Sequence, residues 1–115
     1  MRQFTTAYIK RDWQRMAPLT TGADGRQPTP ERLQRLLANV RAQPMRLIYI
    51  SRPVFGRAPG GMPAKWREDC VRISASTVGR VSRTGQLMIG DELVAWAVLT
   101  PDTWRIWAEG LSQNK

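Results

Sequence analysis

Arg72, Ser74, Ser76 and Arg80 share one parity along residues 71–82, and Arg83 follows them. Arg52, Arg57, Lys65 and Arg67 stand just upstream, with Trp66 between the last two. These side-chain types suit one kind of chemistry. Guanidinium groups hold phosphate oxygens in a fork, hydroxyls add hydrogen bonds, and an indole flanked by cations can stack on a base. Alternate residues of a strand face one side. Arg72, Ser74, Ser76 and Arg80 would therefore make a polar face, with Val71, Ile73, Ala75 and Val81 behind it. Trp66 has a second use, packing against the sheet, which its cationic neighbours do not forbid.

Bond-making chemistry finds little support. The chain has no histidine, which removes the commonest general base and the commonest metal ligand together. Cys70 is the only cysteine. It can form no internal disulfide, is too little for a zinc site, and without a histidine to activate it reads as a small hydrophobe. Gly60 and Gly61 are not followed by Lys-Ser or Lys-Thr, and neither G-x-G-x-x-G nor G-x-S-x-G occurs. Glu68-Asp69 and Asp91-Glu92 are adjacent acid pairs. Neighbours on a strand point to opposite faces, so each pair makes a poor metal clamp. The expectation is a binding protein with no catalytic residues, no metal and no cofactor.

The elements that must position the basic residues can be read from periodicity. Residues 93–99 are apolar on both faces, with Leu93, Ala95, Ala97 and Leu99 on one and Val94, Trp96 and Val98 on the other. Such a strand is covered on both sides and belongs in the middle of a sheet. Residues 71–81 exceed the usual strand of about five to six residues, so a bulge or bend is expected near Gly79. Thr84-Gly85 and Gly90-Asp91 read as hairpin turns on either side of a short strand at residues 86–89. Thr100, Pro101 and Asp102 read as the start of a C-terminal helix over residues 101–112, with Trp104, Trp107, Ala108 and Leu111 as its buried stripe.

Residues 30–43 read as a helix capped by Thr29, buried through Leu33, Leu36, Leu37 and Val40, and stopped by Pro44. Its Arg32, Arg35 and Asn39 share another face, which is solvated on an ordinary amphipathic helix and would meet DNA on a major-groove reader. Residues 46–50 read as a strand. Residues 7–17 read as a short helix bearing Ile9, Trp13 and Met16, in competition with an alternating strand through Phe4, Thr6 and Tyr8. Residues 52–65 carry Pro53, Gly56, Pro59, Gly60, Gly61 and Pro63 and read as an irregular basic loop. Together these give an α+β class: one domain over residues 1–115, with a three- to five-stranded, mainly antiparallel sheet. The helices at 30–43 and 101–112 pack on it.

Charge points to the partner. Eighteen Lys plus Arg against nine Asp plus Glu give a net charge of +9. Residues 41–83 hold nine of the basic groups and two of the acidic ones, whereas residues 84–115 hold two and four. A concentrated basic segment implies a polyanion: nucleic acid first, DNA or RNA, and an acidic protein surface as the alternative. Five Trp among fifteen Arg also suit the anchors of a protein-binding module, an adaptor, inhibitor or complex subunit. The longest apolar run, residues 93–99, falls far short of the ~20 residues of a membrane span, and the first residues carry no apolar leader. A cytoplasmic location without membrane contact is expected. Whether the cations gather on one face depends on strand register and topology.

Overall fold

The protein is described by a computed structural model over residues 2–38, 40, 46–81, 84 and 87–112, with backbone alone for residues 46–49, 77–81 and 87–92. The doubly apolar run 93–99 lies at the inner end of β5 (Leu87–Leu99) and occupies the central position expected of it. On one side β5 pairs antiparallel with β4 (Val71–Val81), and on the other with β6 (Trp104–Trp107). Beyond β6 lies β1 (Thr20–Thr21), paired parallel with Ile106 and Trp107. Beyond β4 lie β2 (Arg46–Ile50) and β3 (Val54–Phe55), both antiparallel to it. The α+β class holds, and the one parallel pairing makes the sheet mixed.

Register sorts the strand faces. Val71, Ile73 and Ala75 stand opposite Ala97, Ala95 and Leu93, while Arg72 and Ser74 stand opposite Trp96 and Val94. The first set buries against helices. These are α1 (Arg2–Ile9), α2 (Trp13–Met16) and α3 (Pro30–Leu36), which contribute Phe4, Ala7, Tyr8, Met16 and Leu33 to one core with Val71, Ala75, Ala95 and Ile106. The low alanine surface of β5 thus receives helices from the N-terminal half, and Ala108 and Leu111 from the C-terminal end join the same core. A second core of Met62, Trp66, Cys70, Trp96, Val98 and Trp107 fills the opposite face.

The N-terminal segment is helical from Arg2, so the competing strand pattern loses. Phe4, Ala7 and Tyr8 are all buried, a helical spacing that alternation cannot satisfy. The helix breaks at Arg11, whose φ is 54°, and Asp12 restarts it by accepting the Arg15 amide at 3.3 Å. Arg11 packs 4.8 Å over the Tyr8 ring and 5.9 Å from Trp13, and donates to the Val40 carbonyl at 3.3 Å. One guanidinium therefore ties α1 and α2 to the chain leaving α3. Thr29 caps α3 as expected, accepting the Arg32 amide at 3.2 Å, and Leu33, Leu37 and Val40 are buried. The α-helix itself ends at Leu36, short of the expected residue 43; residues 39 and 41–45 lie outside the described residues.

Three further expectations are corrected. The C-terminal helix is α5 (Ala108–Leu111), not residues 101–112. Thr100 and Thr103 close a tight turn, with the Thr100 amide and hydroxyl both donating to the Thr103 carbonyl, at 3.0 and 2.7 Å. Trp104–Trp107 then returns as a strand. Thr, Pro and Asp serve a turn as readily as a helix start, and Trp-Arg-Ile-Trp suits a strand. Gly90 and Asp91 form no hairpin turn, because β5 runs on through them, and they fall at a shift in its register with β4, between the Ser76–Glu92 and Val78–Ile89 pairs. The hairpin of β4 and β5 turns between Val81 and Leu87, where Thr84 lies in a turn and residues 82, 83, 85 and 86 lie outside the described residues. The expected bulge is present: the β4–β5 register shifts between Ser76 and Val78 and again between Val78 and Arg80. Residues 52–65 are not wholly irregular, since β3 lies within them and α4 (Ala64–Arg67) begins before their end.

Candidate functional site

Arg72, Ser74 and Ser76 occupy the strand face opposite Val71, Ile73 and Ala75, and all three are half-buried. That face carries Trp96, and Trp96 holds down the basic segment before β4. Its indole N–H donates to the Arg57 carbonyl at 3.1 Å. Two more bonds fix the same segment: the Gly56 amide to the Cys70 carbonyl at 2.8 Å, and the Arg67 guanidinium to the Pro59 carbonyl at 2.9 Å. Met62 is buried beneath it. The Gly- and Pro-rich stretch is therefore a pinned cover over the second core. It carries Arg57, Lys65 and Arg67 outward as exposed residues, with Arg52 exposed at its root.

Ser74 acts on position. Its hydroxyl donates to Ser51 Oγ at 2.9 Å, its amide donates to the same oxygen at 3.0 Å, and the Ser51 amide donates back to the Ser74 carbonyl at 2.8 Å. This knot fixes the chain between β2 and β3, one residue before Arg52. Trp66 is 7% exposed and belongs to the second core, with Lys65 Nζ 4.5 Å above its ring. The indole read as a base platform thus has one face under its own neighbour's ammonium. Arg80 stands where β4 has outrun β2: β2 pairs only as far as Val78, so beyond it β4 and β5 form a two-stranded ribbon. The Arg80 side chain and the whole of Arg83 lie outside the described residues.

The electrostatics separate this region from the rest. Among the described residues three ion pairs form: Arg15 with Asp12 at 3.4 Å, Arg32 with Glu109 at 3.8 Å, and Arg105 with Asp102 at 4.0 Å. None involves Arg52, Arg57, Lys65, Arg67 or Arg72. Arg32, read as one residue of a basic helix face, spends its charge on Glu109. Glu68 and Asp69 are exposed beside α4, and among the described residues no group of three metal-ligating side chains forms. Cys70 is fully buried, and burial pushes its thiol up from the ordinary range while the S–H faces the Gly56 and Arg67 carbonyls at 3.5 and 3.6 Å. It packs as the small hydrophobe expected. No helix among the described residues is long and apolar enough to cross a membrane.

The sequence did not single out the apolar residues that the fold leaves outside. Phe55 is 76% exposed, Leu99 55%, Trp104 48% and Val54 42%. Trp104 was placed in a buried helical stripe, and its exposure follows from its being on a strand instead. Phe55, Leu99 and Trp104 line a cavity of about 370 Å³ together with Lys65, Trp66 and Asp69. A larger groove of about 660 Å³ runs along α1 and α2 past Arg2, Lys10, Asp12 and Arg15. No protein-family model, no curated protein and no solved structure matches this chain.

Proposed function

We propose that this chain is a small basic nucleic-acid-binding protein, acting as an accessory and not as an enzyme. In this function Arg72 and Ser76 on β4, with Arg52, Arg57, Lys65 and Arg67 of the cover over Trp96, contact phosphates. Ser74 holds Arg52 in place. One observation supports this above others: the five cations from Arg52 to Arg72 have no carboxylate within ion-pair distance among the described residues, whereas the three ion pairs that do form all lie elsewhere. Cations left without a carboxylate are what a polyanion site needs, because a preformed ion pair would first have to be broken. Contacts to phosphate carry no sequence information, so broad specificity is expected.

Titration of labelled DNA and RNA oligonucleotides by fluorescence anisotropy, repeated over a range of salt, tests the function. Five phosphate contacts give a slope of log affinity against log salt of about −4 to −5 on a duplex, and about −3.5 on a single strand. A flat salt response, or no binding of either nucleic acid at low salt, refutes it.

A further inference from the structure

Three of the four exposed apolar residues stand together. Phe55 pairs with Val71, Val71 with Ala97, and Ala97 with Ile106, so all four share one face of the sheet. Leu99 and Trp104 pair with each other two residues further along their strands. Phe55, Leu99 and Trp104 thus form a row across the end of the sheet, on the face that the helices cover elsewhere. Phe55 and Trp104 stand three strand spacings apart across the sheet and two residues apart along it, roughly 16 Å. Two rings at that distance do not stack on each other, and each offers its own surface. Val54 points to the opposite face, beside Arg72, with which it pairs.

Cations lie near the Phe55 end of the row. Arg52 and Arg57 flank Phe55 in sequence, and Lys65 shares the cavity with Phe55 and Trp104. One acid, Asp69, lines it too. With a net charge of +9, a second copy of the chain is a poor occupant, whereas a phosphate backbone is complementary. Exposed aromatic rings alternating with cations are the arrangement that holds a single strand: phosphates follow the charge and bases lie on the rings. A duplex keeps its bases stacked inside and stays straight over a persistence length of about 150 base pairs. Arg72 and the row lie on opposite faces, joined around the end of the sheet by Lys65 of α4, and the molecule is 22 Å across its shortest axis. A flexible strand can follow that path and a duplex cannot.

We infer that the nucleic acid is single-stranded and that unstacked bases rest on Phe55 and Trp104. The inference rests on the function proposed above and adds a strand state and two stacking residues to it. The probes are a labelled oligothymidylate of about twelve nucleotides, the same length of abasic backbone, and a duplex of that length. Oligothymidylate is expected to bind about a hundredfold tighter than either, about tenfold for each of the two stacked bases. Phe55→Ala and Trp104→Ala should each cost it about tenfold while leaving the abasic backbone unaffected, and Trp104→Phe should restore most of the loss. Both positions are exposed, and thermal melts confirm that the variants fold. If duplex and abasic backbone bind as tightly as oligothymidylate and the alanine variants change nothing, the stacking inference falls and phosphate binding stands. If no oligonucleotide binds, both fall. A short peptide alternating Glu with Leu and Phe, bound only when Phe55 and Trp104 are present, would then assign the row to an acidic protein.

Discussion

Replacing Gly110 by alanine sets two effects of opposite sign against each other. Gly110 lies inside α5, where alanine is the better helix former by about 1 kcal/mol. A Cβ there would meet Trp107 Cε3 at 2.9 Å, Trp96 Cε3 at 3.1 Å and Trp107 Cζ3 at 3.4 Å. Both indoles are buried, Trp107 at 2% and Trp96 at 8% exposure, and Trp96 is further held by its bond to the Arg57 carbonyl. Neither ring can yield without moving the second core. Overpacking of this kind costs about 1–3 kcal/mol, and contacts on two rigid rings at once place it in the upper part of that range. The net expectation for Gly110→Ala is a loss of about 1–2 kcal/mol. For a chain of this length that lowers Tm by roughly 3–12 °C. The assay is urea and thermal unfolding followed by tryptophan fluorescence. Gly60→Ala is the control, because nothing lies within 4 Å of a Cβ at that position. A Gly110→Ala protein as stable as wild type, or more so, would refute the packing of α5 on the two tryptophans.

Other expectations follow from the same surfaces. Arg72→Gln should make the salt slope shallower by about 0.7, so that affinity for single-stranded DNA falls roughly 50-fold instead of 130-fold between about 50 and 200 mM salt. An unchanged slope would remove Arg72 from the phosphate contacts. Trp96→Phe deletes the indole donor to Arg57 and part of the ring in the second core. It should cost about 2–3 kcal/mol in urea unfolding and expose the 56–63 cover to proteolysis at lower protease concentration than wild type. Burial raises the Cys70 pKa, so the folded protein keeps a proton that the unfolded chain releases in alkali. That contribution is whole below the ordinary thiol pKa of about 8.5 and is lost as pH rises through the folded value. Melts across this window should fall more steeply for wild type than for Cys70→Val; parallel curves would count against the assignment.

Local signals were legible where local physics decides. Thr29, Pro30 and the Leu33, Leu37, Val40 spacing define α3 through contacts within a few residues. The two apolar faces of residues 93–99 announce a central strand, and the parity of residues 71–76 separates Arg72 and Ser74 from Val71 and Ala75. Misreadings arose where a distant partner decides. Thr100-Pro101-Asp102 fits a helix start or a turn equally, and the pairing of Ala97 with Ile106 selects the turn. Gly90-Asp91 is a turn by composition and a strand because β4 runs alongside it. Exposure is the least local property of all. Trp66 and Trp104 are each followed by an arginine, yet one is sealed in the second core and the other stands at the end of the sheet.

The borders of the sheet carry a consequence for behaviour at high concentration. An open strand edge is a template on which further chains can polymerise. Here one border is β1, two residues long, both fully buried, with the Thr20 and Thr21 hydroxyls turned back onto the Ala17 and Gly22 carbonyls at 3.1 Å each. A second border is broken by Pro53 between β2 and β3, and a proline has no N–H to give. A third border is left on β5, which β6 pairs only over residues 97–99, so ahead of Ala97 it is the net charge of +9 and not a capped edge that stands against fibril growth.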